Sequence, residues 1–218
     1  MFTSCLFIRY RSQILKKNLN YINYVNSLNL TYELGITPFA HLTEDEFLNM
    51  NEIRGFRYTV NNATSNKYVK HTNVDSVDWR RKGVVSPIQN QLSCGCCYAF
   101  AATELVYTAL QIHGKSTPIL SAQQIVDCSY EYGNNGCKGG SLGASLYYIK
   151  QQGLAPESVY PYSGKEGTCQ IPSSELYTFE KWEQKSFIDE ATLKDIVTER
   201  PVSVGIVSNW APLQVSFE

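Results

Sequence analysis

A chain of 218 residues with 43% hydrophobic and 12% aromatic content is long enough for one or two domains with a buried core. A formal charge of -1 with no block of like charges excludes the electrostatics that would hold nucleic acid or an anionic membrane surface. No apolar run approaches the roughly 18 residues needed to cross a bilayer, and residues 1–8 have neither the apolar length nor the basic lead of a secretory signal.

In chain order, Leu15, Leu19, Ile22, Val25 and Leu28 recur at steps of three and four, which predicts an amphipathic helix over residues 11–28. Residues 32–39 have extended character. Thr43 with Glu46 forms a capping box opening a short helix through Phe47 and Leu48. Residues 61–67 are polar and turn-forming, suiting an exposed linker open to proteolysis. From Tyr98 to Ile112 almost every side chain is apolar, so this helix is expected to be enclosed on all sides and to act as a core axis. Ser121 with Gln124 forms a second capping box. Residues 141–152 read as a helix stopped by Gly153, and residues 189–199 as an amphipathic helix stopped by Pro201. Residues 202–207 alternate as a strand should.

The stretch Gln91-Leu92-Ser93-Cys94-Gly95-Cys96-Cys97-Tyr98-Ala99-Phe100 stands before that apolar helix and holds three of the seven cysteines. Cys97 falls at the first helical turn, where unpaired N–H groups and the positive dipole end favour an anionic sulfur. Alone, that effect lowers a thiol pKa of ~8.5 by only about 0.2 to 1.5 units.

Cys-Gly-Cys-Cys-Tyr resembles the Cys-Gly-(Ser/Ala)-Cys-(Trp/Tyr) signature of papain-like cysteine peptidases. The flanks agree: Val77-Asp78-Trp79-Arg80, Asn90-Gln91, the run from Leu120 to Cys128, and Gly136-Cys137-Lys138-Gly139-Gly140 resemble further family motifs in the family's order. The wording is closest to cathepsin L and cathepsin O. Upstream, Arg11, Asn18, Ile22 and Asn26 resemble the spaced ERFNIN pattern of the inhibitory prosegment, with Phe7 and Leu15 where that pattern has Glu and Phe. Gly35-x-Thr37-x-Phe39-x-His41 resembles the prosegment's Gly-x-Asn-x-Phe-x-Asp. The histidine there either alters how prosegment release depends on pH or is simply a solvated loop residue.

The resemblance implies an α+β, papain-like fold. It places a helical prosegment, clipped at the N-terminus, in residues 1–70 and a peptidase domain in residues 71–218, with its helical left-hand domain largely present and its β-rich right-hand domain mostly missing. It implies peptide-bond hydrolysis without cofactor or metal. Cys97 would be the nucleophile and Gln91 the oxyanion-hole donor, with Gly95, Gly139, Gly140 and Leu142 as substrate contacts. Implied disulfides are Cys94 with Cys137 and Cys128 with Cys169, leaving Cys5 and Cys96 unpaired. The implied partners are a peptide or protein substrate and the chain's own prosegment lying in the cleft. The implied setting is a monomer in a lysosomal or secreted compartment, for which seven cysteines and the sequons at Asn29 and Asn62 are apt.

Three departures stand out: Leu92 replaces a usual glycine, Cys96 a usual serine and Tyr98 the commoner tryptophan. Cys96 so placed could also form an off-pathway disulfide with Cys97. The family's histidine base lies roughly 130 to 150 residues after the cysteine, a spacing beyond Glu218, so the catalytic His and Asn are expected outside this sequence. His41 and His71 lie in the prosegment and linker, and His113 is about 24 Å along the helix from Cys97. Two other readings remain open: a non-catalytic, protease-binding inhibitor module, and a thiol oxidoreductase using Cys94-Gly-Cys-Cys97 as a Cys-x-x-Cys pair. A zinc site is poorer, since no second ligand pair follows.

Overall fold

The computed structural model describes residues 2–51, 74–185, 189–206 and 211–216. The expected linker at residues 61–67, Asn62 and His71 lie outside these, as does the side chain of Cys5. Two compact units are formed, one by Met1–Glu52 with Gly205–Glu218 and the other by Ile53–Val204.

In the first unit α1 (Phe2–Asn26) is a single helix that begins well before the apolar stripe seen in the sequence. Of the stripe, Ile22 and Val25 are buried and Leu15 and Leu19 pack partly buried beside them, with Leu34, Ala40 and Val215 in the same cluster; Ile14 is buried as well, whereas Leu28 lies past the helix end and is exposed. Two asparagines fasten the following loop to the helix. Asn18 Nδ2 donates to the carbonyls of Ala40 (2.8 Å) and Leu42 (3.1 Å), and Asn26 clasps Leu34 through both its N–H and its carbonyl. α2 (Glu44–Asn51) opens on the expected box, with the Glu46 amide donating to Thr43 Oγ1 (3.2 Å) and the Thr43 amide to Glu46 Oε2 (2.8 Å). α7 (Ala211–Gln214) belongs here as well. Gln214 donates to the Phe39 and Leu42 carbonyls, Thr37 donates to the Gln214 carbonyl, and Gly35 bonds the Val215 carbonyl.

The second unit is built on α3 (Cys97–Ile112), against which α4 (Ala122–Cys128) and α5 (Leu142–Gln152) pack. Tyr98, Ala99, Ala102, Val106 and Leu110 meet Ile125, Val126, Leu146, Tyr148 and Ile149 in one core. α3 is less enclosed than its composition suggests. Ala109 is exposed and Ile112 is 38% exposed, because the helix runs out into the turn at His113 and Gly114, where little remains to cover its last turn.

α4 is capped by Ser121, which accepts the Gln124 amide at 2.9 Å, but the reciprocal half of the expected box does not form. The Ser121 amide already donates to the Ala155 carbonyl at 2.9 Å. The buried Gln124 side chain is therefore recruited elsewhere, donating to Tyr148 and the Gly153 carbonyl and accepting from Ala155. α5 is capped by Ser141 and ends at Gly153, whose φ of 72° a residue with a Cβ rarely adopts. α6 (Glu190–Glu199) is capped by Asp189, which accepts the Thr192 amide at 2.7 Å, and Trp79 Nε1 donates to its Val197 carbonyl at 2.8 Å.

No strand forms over residues 202–206, where Val204 and Ile206 are 66% and 70% exposed. Alternation provides two faces but not the neighbouring backbone a strand needs. Among the described residues only isolated bridges occur: Leu34 with Ser216, Leu120 with Pro156, and Leu154 with Tyr177.

Disulfides join Cys94 to Cys137 and Cys128 to Cys169, the pairing that the resemblance implied, across 43 and 41 residues of chain. Chain entropy gives about 4 kcal/mol for each loop taken singly, less than twice that together because the loops interleave.

Candidate active site

Cys97 is the first residue of α3. The loop before it is wound tightly: the Cys94 amide donates to the Gln91 carbonyl (3.3 Å), that of Cys96 to the Cys94 carbonyl (2.8 Å), and that of Gly95 to the Cys137 carbonyl (3.0 Å). The disulfide at Cys94 anchors this loop to the Gly136–Lys138 turn. Cys96 takes the N-cap position with no side-chain cap, so the start of α3 is left to the sulfur beside it.

Of the two free thiols among the described residues, Cys97 is exposed and Cys96 is fully buried. The amides of Cys97 and Tyr98 stabilise the Cys97 thiolate, as a helix start should, yet partial burial outweighs them and leaves the thiol above its ordinary pKa. The expectation of a net lowering at the helix terminus is thus overturned. Desolvation of the sulfur by its packed flank exceeds what two amides supply.

An open cavity of about 390 Å³ lies over Cys97, lined by Ile88, Gln89, Asn90, Gln91, Cys97 and Phe100. It brings the two expected catalytic residues, Cys97 and Gln91, to one surface. Gly95, Gly139, Gly140 and Leu142 are not part of that lining. Gly139 and Gly140 are buried, with the Gly139 carbonyl accepting the Asn135 amide at 2.8 Å. A Cβ on Gly140 would collide with Asn134 Oδ1 and stand 2.7 Å from the Tyr98 ring, so packing alone already requires glycine there. Leu142 is half-buried against the core.

Tyr98, where tryptophan is commoner, places its hydroxyl on the Gly136 carbonyl at 2.8 Å, satisfying its polar end inside the core. Asn134 ties the same region together, donating to Ser129 and Ser145 and accepting the Ser141 amide. Its importance was not apparent from the sequence, nor was that of Tyr162, whose hydroxyl reaches the Gln91 carbonyl at 2.6 Å. An aromatic in a Pro-Tyr-Ser-Gly turn was the one available signal.

Neither His41 nor His113 lines the cavity, and no group of three or more His, Cys, Asp or Glu among the described residues could hold a metal ion. Cys94 is bonded to Cys137, so Cys94 and Cys97 do not form a dithiol pair, which removes the oxidoreductase reading.

A loop pinned by a disulfide, a solvent-facing thiol at a helix start and a glutamine lining the same cavity stand together on a papain-like α+β fold. Residues 73–215 match the papain family cysteine protease model, and residues 7–47 the cathepsin propeptide inhibitor domain (I29); the chain belongs to the papain family. It is similar to caricain from Carica papaya, with 34% identity over 211 residues that make up 94% of this chain and 60% of caricain. Senescence-specific cysteine protease SAG12 from Arabidopsis thaliana is 37% identical over 211 residues, 90% of this chain and 60% of that protein. The chain thus spans about three-fifths of the length of these relatives. The crystal structure of the ragweed pollen allergen Amb a 11 cysteine protease in its proform superposes with a TM-score of 0.80 at 31% identity, covering 96% of this chain and 67% of that one.

Proposed function

We propose that this chain serves as the precursor of a cysteine endopeptidase, with Cys97 as nucleophile. The observation that carries this reading is the exposed Cys97 sulfur at the start of α3, sharing its cavity with Gln91. In this reading the Cys97 thiolate attacks a peptide carbonyl, while the Gln91 side chain and the Cys97 amide hold the oxyanion that develops. Gly95, Gly139, Gly140 and Leu142 are assigned to substrate contact on family resemblance alone. Residues 1–70 are assigned to an inhibitory prosegment that occupies the cleft, and residues 71–218 to the peptidase domain. The propeptide-domain match and the proform relative support the prosegment assignment. The two disulfides suit an oxidising secretory or lysosomal setting and a monomeric zymogen.

With the Cys97 thiol raised and no described imidazole in its cavity, thiolate is the minor form at acidic and neutral pH. The expected result with the purified 218-residue chain is fluorogenic-peptide hydrolysis slower by about 10² to 10⁴ than a histidine-assisted reaction, with any residue of activity lost in Cys97→Ala. Turnover at the rate of a histidine-assisted enzyme would overturn this view of the site, and turnover surviving in Cys97→Ala would overturn the nucleophile assignment.

A further inference from the structure

Cys96 is a buried thiol with no part in the reaction as just described, and its surroundings explain why it is there. Its sulfur lies 3.0 Å from the Tyr162 hydroxyl, and that hydroxyl lies 2.6 Å from the Gln91 carbonyl. The phenol has one proton. Since the carbonyl can only accept, Tyr162 donates to Gln91, and the Cys96 S–H donates to Tyr162. A line of two hydrogen bonds therefore runs from Cys96, the neighbour of Cys97, to the backbone of Gln91, which lines the same cavity as Cys97.

Tyr162 sits in a turn that is itself held fast. Ser121 Oγ donates to the Tyr160 carbonyl (2.7 Å), the Tyr160 hydroxyl donates to Asp127 (2.9 Å), and the Ser163 amide donates to Gln123 Oε1 (2.9 Å). All three anchors lie at or in α4. The Tyr162 ring packs edge-on to Phe100 of α3, centroids 4.8 Å apart. Two residues on, Gly164 lies under Leu92, and a Cβ at Gly164 would stand 2.7 Å from Leu92 Cδ1. Leu92 has φ of 55°, a conformation that a leucine rarely holds, with its amide donating to Asn90 Oδ1 at 2.8 Å. The turn thus grips the loop at two successive residues, by a hydrogen bond at Gln91 and by contact at Leu92.

We propose that Cys96 and Tyr162 are positioning residues: a buried thiol–phenol relay that fixes the Gln91 backbone and so sets the oxyanion donor opposite Cys97. Cys96 is a hydrogen-bond donor in this arrangement and not a second nucleophile. Burial pushes its thiol up to about 11, which keeps the donating proton in place across the physiological range. The inference rests on the nucleophile and oxyanion roles given above.

Its test separates the two. A peptide aldehyde reports on oxyanion stabilisation: the Cys97 sulfur adds to the aldehyde carbon, the carbonyl π pair moves to oxygen, and that oxygen takes up the thiol proton. Iodoacetamide reports on the sulfur alone. In Tyr162→Phe and Cys96→Ala, aldehyde capture is expected to weaken about tenfold, the share of one buried hydrogen bond. Cys96→Ser, which keeps a donor, should restore it to within about twofold, and iodoacetamide alkylation of Cys97 should stay within about twofold throughout. Amide hydrogen exchange at Cys94, which donates to the Gln91 carbonyl, is expected to speed up in the first two variants and not in Cys96→Ser. Unchanged aldehyde capture and exchange in Tyr162→Phe would overturn the relay, as would equal loss of capture and alkylation, which marks general loosening. A wild-type chain that fails to capture the aldehyde removes the oxyanion reading, and hydrogen exchange then still decides whether the relay holds the loop.

Discussion

At the scale of single residues, the chemistry turns on two adjacent thiols with opposite surroundings. Cys97 faces solvent and Cys96 none, although one peptide unit separates them, because the N-cap residue turns inward as the helix begins at the next. Partial burial holds Cys97 above the ordinary thiol range. The rate of its alkylation should therefore climb with pH through a midpoint above ~8.5 and show no plateau near neutrality; a pH profile of iodoacetamide modification checks this, and a midpoint below ~7 would contradict it. Gly140 offers a second residue-level test. A methyl group there meets Asn134 and the Tyr98 ring, neither with room to retreat, so Gly140→Ala is expected to cost about 1 to 3 kcal/mol in a denaturant melt.

At the scale of elements, α1 and α2 are joined by a paired Arg11 and Glu46, at 2.5 and 2.9 Å, with Thr43 adding its amide and hydroxyl to the same carboxylate. Those bonds, the one from Arg11 foremost, hold Glu46 down at about 2 against an ordinary 4.5. A depressed carboxylate contributes stability that is fully present above its unfolded value and is lost as pH falls through its folded value. The pair should therefore persist at pH 5 and give way only between about 4.5 and 2. In circular-dichroism urea melts the stability gap between the wild-type chain and Glu46→Gln is expected to be constant from pH 7 to 5 and to close below; closure already at pH 6 would contradict the assignment. His41, which the sequence offered as a candidate pH trigger, is exposed, and Arg11 reaches its carbonyl and not its ring.

Which elements the sequence discloses follows from how local their causes are. α2 was legible from a capping box whose partners are three residues apart, and α5 because its start and its glycine stop sit within a dozen residues of each other. Half of the α4 box failed because Ala155, far along the chain, had already taken the Ser121 amide. The strand expected over residues 202–207, of which 202–206 are described, failed for the same kind of reason, since pairing is decided by a neighbour and not by alternation. At the site, Cys97 and Gln91 stood out through a contiguous motif, whereas Tyr162 acts on Gln91 across 71 residues and left no periodic trace.

At the scale of the whole molecule, two interleaved disulfides hold the segment from Cys94 to Cys169, which includes α3, α4 and α5 and carries both free thiols of the described chain. Replacing Cys128 and Cys169 by serine is expected to lower stability by up to about 4 kcal/mol, seen by calorimetry as a fall of roughly 8 to 16 °C in Tm. A shift of only a degree or two would show that helix packing alone organises the site. The propeptide-domain match, residues 7–47, shares its compact unit with residues 211–216, which lie at the far end of the peptidase match or just past it. Thr37, Phe39 and Leu42 meet Gln214 there, so Gln214→Ala is expected to loosen that unit, read as faster exchange of the Gly35 amide.

The account stands or falls on which sulfur reacts. The most direct measurement is a non-reducing peptide map of the native chain after treatment with a peptidyl epoxide. The expected result is one adduct on Cys97, with Cys96 unmodified and both disulfides intact; an adduct on Cys96, or Cys97 recovered unmodified or in a disulfide with Cys94, would contradict it.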